Sequence, residues 1–400
     1  MKRVFIIIIL IGCIISTSFA KYDINENCKS AWMLLMDLKL DEAKELLTQE
    51  IKNNPDNYYA YYIDQTCDAY KLLINSNDDD YDRFLASYDK RRDIMDDKDT
   101  ESPYYLSCYS EMELQVCIFN VIYGSMYSGI RKGFASYKNT YKNLEKYPEF
   151  RPSLKMDGFF NVALSNMPPF VKWAVSLIGV STDIDYGFAV LKENAEVQKS
   201  IKGINAESAL FVILAAKINK TPEVVYDFCN SLDSSISQTF VHSYFRANIS
   251  YRIGKNEEAL ATINSLSISD KSLARVIYNY MKGKILLRKL DAEAGKYISN
   301  YLSNLEKKEY LKEMNYNLAL FYLINGDKDK YNKYAKIVRD KGMDINERDR
   351  EALYDANLDY PPNVNLVKAR LLLDGEYFER FKNSLSEYEV SKSEVMGHQI

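Results

Sequence analysis

Only two histidines, His242 and His398, occur among the 400 residues. A histidine-based metal centre needs more ligands than that. A Ser–His–Asp or Cys–His arrangement would have to run through His242, with Cys229 as its nearest thiol in sequence, and a packed or solvent-facing imidazole is the expected role instead. Gly254-Lys255 and Gly283-Lys284 lack the spaced glycines of a phosphate-cradling loop. The acidic stretches at 75–80 and 93–97 lack the central glycine and closing glutamate of a calcium loop, and are read as helix ends or solvated faces. Carboxylate pairs are abundant but show no distinctive spacing. Neither catalysis nor a metal or cofactor is expected.

The residues that do keep a regular spacing suit recognition rather than reaction. Tyr244, Tyr280 and Tyr316 follow one another at intervals of 36 residues. Asn248 and Lys284 keep the same phase, as do Arg252 and Arg288. Tyrosine offers a large amphipathic contact surface at low entropic cost, and arginine grips carboxylates with a planar fork. These seven side chains are the candidate lining of a groove for a peptide or protein partner.

A periodic frame must position them. Ala247, Gly283 and Ala319 share the 36-residue interval, as do Ala259 and Gly295. Leu266, Leu302 and Val338 keep it too, and Gly254, Leu290 and Gly326 recur at the turns. Apolar residues recur at helical spacing throughout, and alternating strand patterns are rare. The spacing predicts an all-α, tetratricopeptide-like helix–turn–helix solenoid, in which small residues mark close helix approaches and turn residues end the first helix of each pair. Tyr331 fills the second small position of the third unit, so that unit packs less tightly. A fourth unit is expected around Ala369, Phe381 and Tyr388, displaced by an insert that carries Pro361-Pro362. Another unit is expected at the front, through Ala31, Leu34, Ala43, Leu47 and Ile51, with Pro55 stopping its second helix.

Composition agrees with a folded chain: 47% of residues are hydrophobic and 27% charged, which argues against disorder. The formal net charge of −4 supplies no field for nucleic acid, and none is expected as a partner. Residues 1–20 begin with Lys2-Arg3, continue through an apolar run and end in Ser18-Phe19-Ala20, the pattern of a secretory signal peptide. Leu10-Ile11-Gly12-Cys13 offers a second reading, a lipobox with Cys13 lipidated, which would be the chain's one route to a membrane. Cys28, Cys67, Cys108, Cys117 and Cys229 remain beyond it. They read as buried thiols with at most one disulfide, and Cys108 and Cys117 lie too far apart to pair if one helix carries both.

The expected divisions are a signal peptide (1–20), an N-terminal helical repeat region (21–128), a central helical region (129–235), C-terminal repeats (236–390) and a polar tail (391–400). The central region holds the most apolar internal stretch, split by Pro168-Pro169 and read as a buried helical hairpin. It runs Gly158-Phe159-Phe160-Asn161-Val162-Ala163-Leu164-Ser165-Asn166-Met167-Pro168-Pro169, followed by Trp173, Gly179, Gly187 and Leu191. Together with Ala135, Ser136 and Tyr137 before it, this segment resembles the core of the tetratricopeptide-39 family, which also includes the inclusion-body clearance proteins. The resemblance covers roughly residues 120 to 400. It implies an all-helical repeat protein without a defined catalytic activity, and it carries over no catalytic residues. The chain departs from that family in its export signal and its shortness. The expected function is an exported scaffold, periplasmic or secreted, that binds peptides or proteins in the cell envelope. The alternatives are an outer-membrane lipoprotein subunit of an envelope assembly, or a helical lipid- or glycan-binding protein.

Overall fold

A computed structural model describes residues 21–96, 98–167, 182–197, 202–268, 272–344, 346–358 and 361–397. The expected signal peptide (1–20) with Cys13, the segment from Pro168 through Trp173 and Gly179, and His398 lie outside the described residues. Among the described residues every regular element is a helix. In chain order these are α1 (Glu26–Met36), α2 (Leu40–Asn53), α3 (Tyr58–Ile74), α4 (Asp78–Met95), α5 (Pro103–Ile122), α6 (Met126–Lys146), α7 (Arg151–Ser165), α8 (Ile184–Val197), α9 (Lys202–Asn219), α10 (Pro222–Ser231) and α11 (Ser234–Ser237). The C-terminal half continues with α12 (Phe240–Arg252), α13 (Asn256–Asn264), α14 (Ala274–Arg288), α15 (Ala294–Asn304), α16 (Leu311–Ile324), α17 (Lys328–Asp340), α18 (Glu347–Ala356), α19 (Val364–Asp374) and α20 (Phe378–Gly397).

Local sequence explains most of the boundaries. Asn77 and Asp80 bond each other's backbone in a capping box at the start of α4, so the acidic run at 78–80 is the first turn of a helix. Pro103 and Pro222 occupy the first helical position of α5 and α10, where no backbone N–H is needed. Six tight turns share one conformation: Leu38, Gly124, Gly254, Leu290, Gly326 and Glu376 all have positive φ. At Leu290 the chain closes a full Schellman turn, with the Leu290 N–H on Leu287 O and the Asp291 N–H on Leu286 O. Each of these turns joins two antiparallel helices, so the sequence-phased turn positions are the hinge points of the repeats.

The small residues lie at the helix crossings. Ala247, Ala259 and Ala319 are fully buried, and a Cβ on Gly283 would stand 3.1 Å from the Ile298 backbone nitrogen of α15. The same device recurs between α7 and α8. A Cβ on Gly187 would lie 2.6 Å from Gly158 O, and one on Gly158 would lie 2.8 Å from Gly187 O. The two helices touch backbone to backbone there.

The array is not a straight stack in which each unit meets only its neighbours. Helix α1 packs on α9, and Asp37 Oδ1 accepts the Phe240 N–H at the start of α12. Asn75, just after α3, donates to Asn304 O and accepts from the Glu306 N–H. The N-terminal block is thereby folded along the C-terminal repeats. Its own start is held by Glu50, a buried carboxylate that pairs with no cation among the described residues and accepts amide hydrogens from Asn25, Asn27, Asn54 and Asn57. Burial opposes the charge, but the amides, Asn57 foremost, hold this carboxyl below its usual range.

The C-terminal end differs from a simple fourth repeat. The insert contains α18, whose wholly buried Asp349 accepts the Tyr310 and Glu313 N–H groups and so caps α16 from a neighbouring helix. The α19–α20 hairpin then turns back over the earlier units. Tyr377 meets Asn256 and Glu257, and Arg380 donates to Lys289 O. Two expected divisions shift as well. The boundary after residue 128 falls inside α6 and the one after 235 inside α11, because helix packing carries across both positions; the expected polar tail continues α20 as far as Gly397.

Candidate functional site

The groove residues phased in the sequence separate into different settings. Tyr280 and Lys284, one turn apart on α14, both point into the protein and share a single acceptor. Tyr280 Oη donates to Glu313 Oε2 (2.8 Å), and Lys284 Nζ bonds Glu313 Oε1 (2.5 Å). Tyr244 lies near the same carboxylate, and burial pushes its hydroxyl well up from its ordinary value. Arg288 stacks 3.4 Å above the Tyr251 ring and donates to Tyr251 O. Asn248 reaches the Met281 sulfur at 3.9 Å. Tyr316 is buried against Val338, Ala352 and Ala356 in a separate cluster. Arg252 alone of the seven is exposed. Tyr280 and Lys284 thus tie two adjacent repeats together, and their polar ends are spent on Glu313 rather than presented to a groove.

The densest buried chemistry lies elsewhere, where α1, α3, α5, α7 and α9 meet. Lys155 is 3% exposed and pairs with Glu111 (3.0 Å) and with Glu207. Tyr62 Oη donates to Glu111 Oε2 (2.6 Å), and the ammonium lies 4.6 Å from the Phe211 ring centroid. Two carboxylates face one cation in this apolar surrounding. Burial pushes Glu207 up to about 7, with Lys155 opposing the rise and Glu111 adding to it. Perturbed carboxylates of this kind occur in active sites, and also in structural ion networks. The enclosure fits the second of these. Trp32, Tyr59, Tyr104 and Cys108 close around a cavity of about 20 Å³, room for one water and no substrate. No spacing in the sequence points to this cluster, since its three charged members lie on three helices far apart in the chain.

His242 and Cys229 do not form a pair. The imidazole is buried, with Nδ1 2.7 Å from Thr239 Oγ1, whereas Cys229 packs with Val225 and Ile249. Burial pushes His242 down to about 4 from 6.5. The unfolded chain therefore binds this proton first as the pH falls. The stabilisation is complete above pH 6.5 and is lost progressively towards pH 4, by up to about 3 kcal/mol. Measured from pH 7.5 to 4, the stability difference between the wild type and His242→Gln is expected to shrink below pH 6.5; a constant difference would show that the imidazole protonates in place. All five cysteines beyond residue 20 are free, and Cys108 and Cys117 both sit on α5. Among the described residues no group of three or more His, Cys, Asp or Glu side chains is placed to hold a metal ion, and no helix is long and apolar enough to cross a membrane.

The surface holds one clear anomaly. Helix α6 buries Gly129, Ser136, Thr140 and Asn143, and the large apolar residues of its first half turn outwards. Met126, Tyr127, Ile130 and Phe134 are 55%, 82%, 49% and 37% exposed. Ile118 and Val121 of α5 are exposed as well, and the Val121 side chain lies against Gly129. The inward face is satisfied without apolar bulk. Ser136 Oγ donates to Ser110 O, Ser110 Oγ lies 2.6 Å from Thr140 Oγ1, and Asn143 donates to Pro103 O and Ser153 Oγ. An ordinary surface helix points these two classes of side chain the other way. Exposed Arg131, Lys138 and Lys142 border the apolar face. Sequence periodicity misses this site, because an apolar stripe on a helix reads as the core-facing side whichever way it points.

Comparison with models of known protein families and with curated proteins gives no match to this chain.

Proposed function

We propose that this chain is a non-catalytic helical-repeat scaffold whose binding face is the outer side of the α5–α6 hairpin. The observation that carries the reading is the inverted α6, with Gly129, Ser136 and Thr140 inside and Met126, Tyr127, Ile130 and Phe134 outside. Burying such a set is worth roughly 25 cal/mol per Å² of apolar area removed from water, and a contiguous exposed patch of large apolar side chains marks an interaction surface. The fitting partner is a protein that presents an apolar face edged by acidic residues, which Arg131, Lys138 and Lys142 would meet.

The basic and apolar character of residues 1–20 supports export to the envelope, with lipidation at Cys13 as the alternative anchor. The same basic border on α6 favours a second reading, docking on an anionic lipid surface. Ile130→Asp combined with Phe134→Asp separates these possibilities. The pair is expected to abolish direct binding of the envelope protein that cross-links to the wild type, at least tenfold, with the melting temperature unchanged. Loss of vesicle binding instead would favour the lipid reading, and full retention of both would remove the face from consideration.

A further inference from the structure

The last hairpin of the chain, α19–α20, lies over the turns of earlier repeats without closing fully on them. Tyr377 and Arg380 fasten it, through Asn256, Glu257 and Lys289 O. A cavity of about 360 Å³ remains between the hairpin and the C-terminal ends of α14 and α16. That volume lies at the lower end of the range for small-ligand sites, roughly 300–1,000 Å³. Leu290, Ile324 and Leu372 supply aliphatic lining. The wall contributed by α20 is polar. Arg380, Asn383, Ser384 and Glu387 stand at positions i, i+3, i+4 and i+7, a single stripe of the helix. A helix packed on a repeat array carries apolar side chains on such a stripe. Ser384 is only 8% exposed, and its hydroxyl meets no partner among the described residues. Lys368 of α19 and Glu387 also line the cavity, and neither forms an ion pair among the described residues.

The enclosed Ser384 hydroxyl calls for a polar occupant, since buried polar groups are otherwise hydrogen-bonded. The charges on the wall select its kind. Arg380 spends one N–H on Lys289 O and keeps the rest of its fork for a carboxylate. An anion alone would set like charge against Glu387, whereas a zwitterion meets both signs. Glu387 lies seven residues beyond Arg380, about 10 Å along the helix axis. Three extended peptide residues span about 10 Å. We propose that this cavity binds a short zwitterionic peptide of about three residues, its carboxylate on Arg380 and Lys368 and its amino group on Glu387. Asn383 and Ser384 stand between the two ends, where they would meet the peptide groups of the ligand. The site rests on α19 and α20, away from the α5–α6 face, and stands whether or not that face binds a partner.

Trialanine titrated into the full chain by calorimetry tests the assignment. One saturable site is expected. N-acetylation and C-terminal amidation of the peptide should each weaken it at least tenfold. Glu387→Gln should weaken the free peptide at least tenfold and leave the acetylated one unchanged, because the contact it removes is already gone. Arg380→Gln should behave in the same way towards the amidated peptide. Arg380 also ties the hairpin to Lys289, so its loss could loosen the fold. Lys368→Gln and Ser384→Ala break no side-chain contact among the described residues and guard against that outcome; each should weaken trialanine severalfold. Absence of saturable binding, equal binding of free and blocked peptides, or sensitivity to only one of the two ends overturns the proposal.

Discussion

Replacing Lys155 with methionine is expected to cost about 3–5 kcal/mol of stability. Among the described residues, the lysine is the one cation paired with two buried carboxylates, Glu111 and Glu207, contributed by α5 and α9. Methionine fills much of the same volume and keeps contact with Phe211, so packing alone predicts a small effect. The electrostatic account predicts a large one, because both acids would remain buried with no counter-charge. Adding Glu111→Gln and Glu207→Gln to Lys155→Met should then restore most of the stability, since neutral amides no longer require the cation. Urea unfolding followed through Trp32, which lines the same cavity, reads the effect directly. A loss below about 1 kcal/mol for Lys155→Met, or no recovery in the triple variant, would show that the cluster is not a charge-balanced unit.

The second large effect is steric. Gly187→Ala places a Cβ 2.6 Å from Gly158 O, and Gly158→Ala places one 2.8 Å from Gly187 O. Backbone is on both sides, so no side chain can rotate away, and α7 and α8 must separate. Overpacking of this kind costs about 1–3 kcal/mol, and the upper end is expected here. The two substitutions crowd one contact. Once either has pushed the helices apart the other adds little, so the double variant should fall short of additivity by about 1 kcal/mol. Gly326→Ala is the control: its surroundings are open, and only the positive φ of +82° is strained. Additive losses at 158 and 187 would mean that each glycine serves a separate backbone need.

Much of the frame was legible in the residues themselves. The 36-residue phase of Ala247, Gly283 and Ala319 places them at helix crossings, and the phase of Gly254, Leu290 and Gly326 places them at turns. Both depend on local geometry, which repeats wherever the sequence repeats. Leu38 and Glu376 adopt the same left-handed turn without being glycine, and no periodicity announces them. The candidate groove was legible only as a spacing. Tyr244, Tyr280 and Lys284 keep their phase, yet the acceptor that turns the latter two inwards, Glu313, comes from the next repeat.

The sequence by itself determined that this protein is a run of antiparallel helices, where its close-packed positions lie and which chemistries its few histidines leave out. The tertiary structure alone decided which faces are inside. It turned the small polar side of α6 inwards and left Met126, Tyr127, Ile130 and Phe134 exposed, and it brought Glu111, Lys155 and Glu207 together from three helices. The physical reason is range. Helix formation, turns and caps depend on residues three to six positions apart, whereas orientation and charge pairing depend on which surfaces meet after the chain has folded back on itself, and no local spacing encodes that encounter.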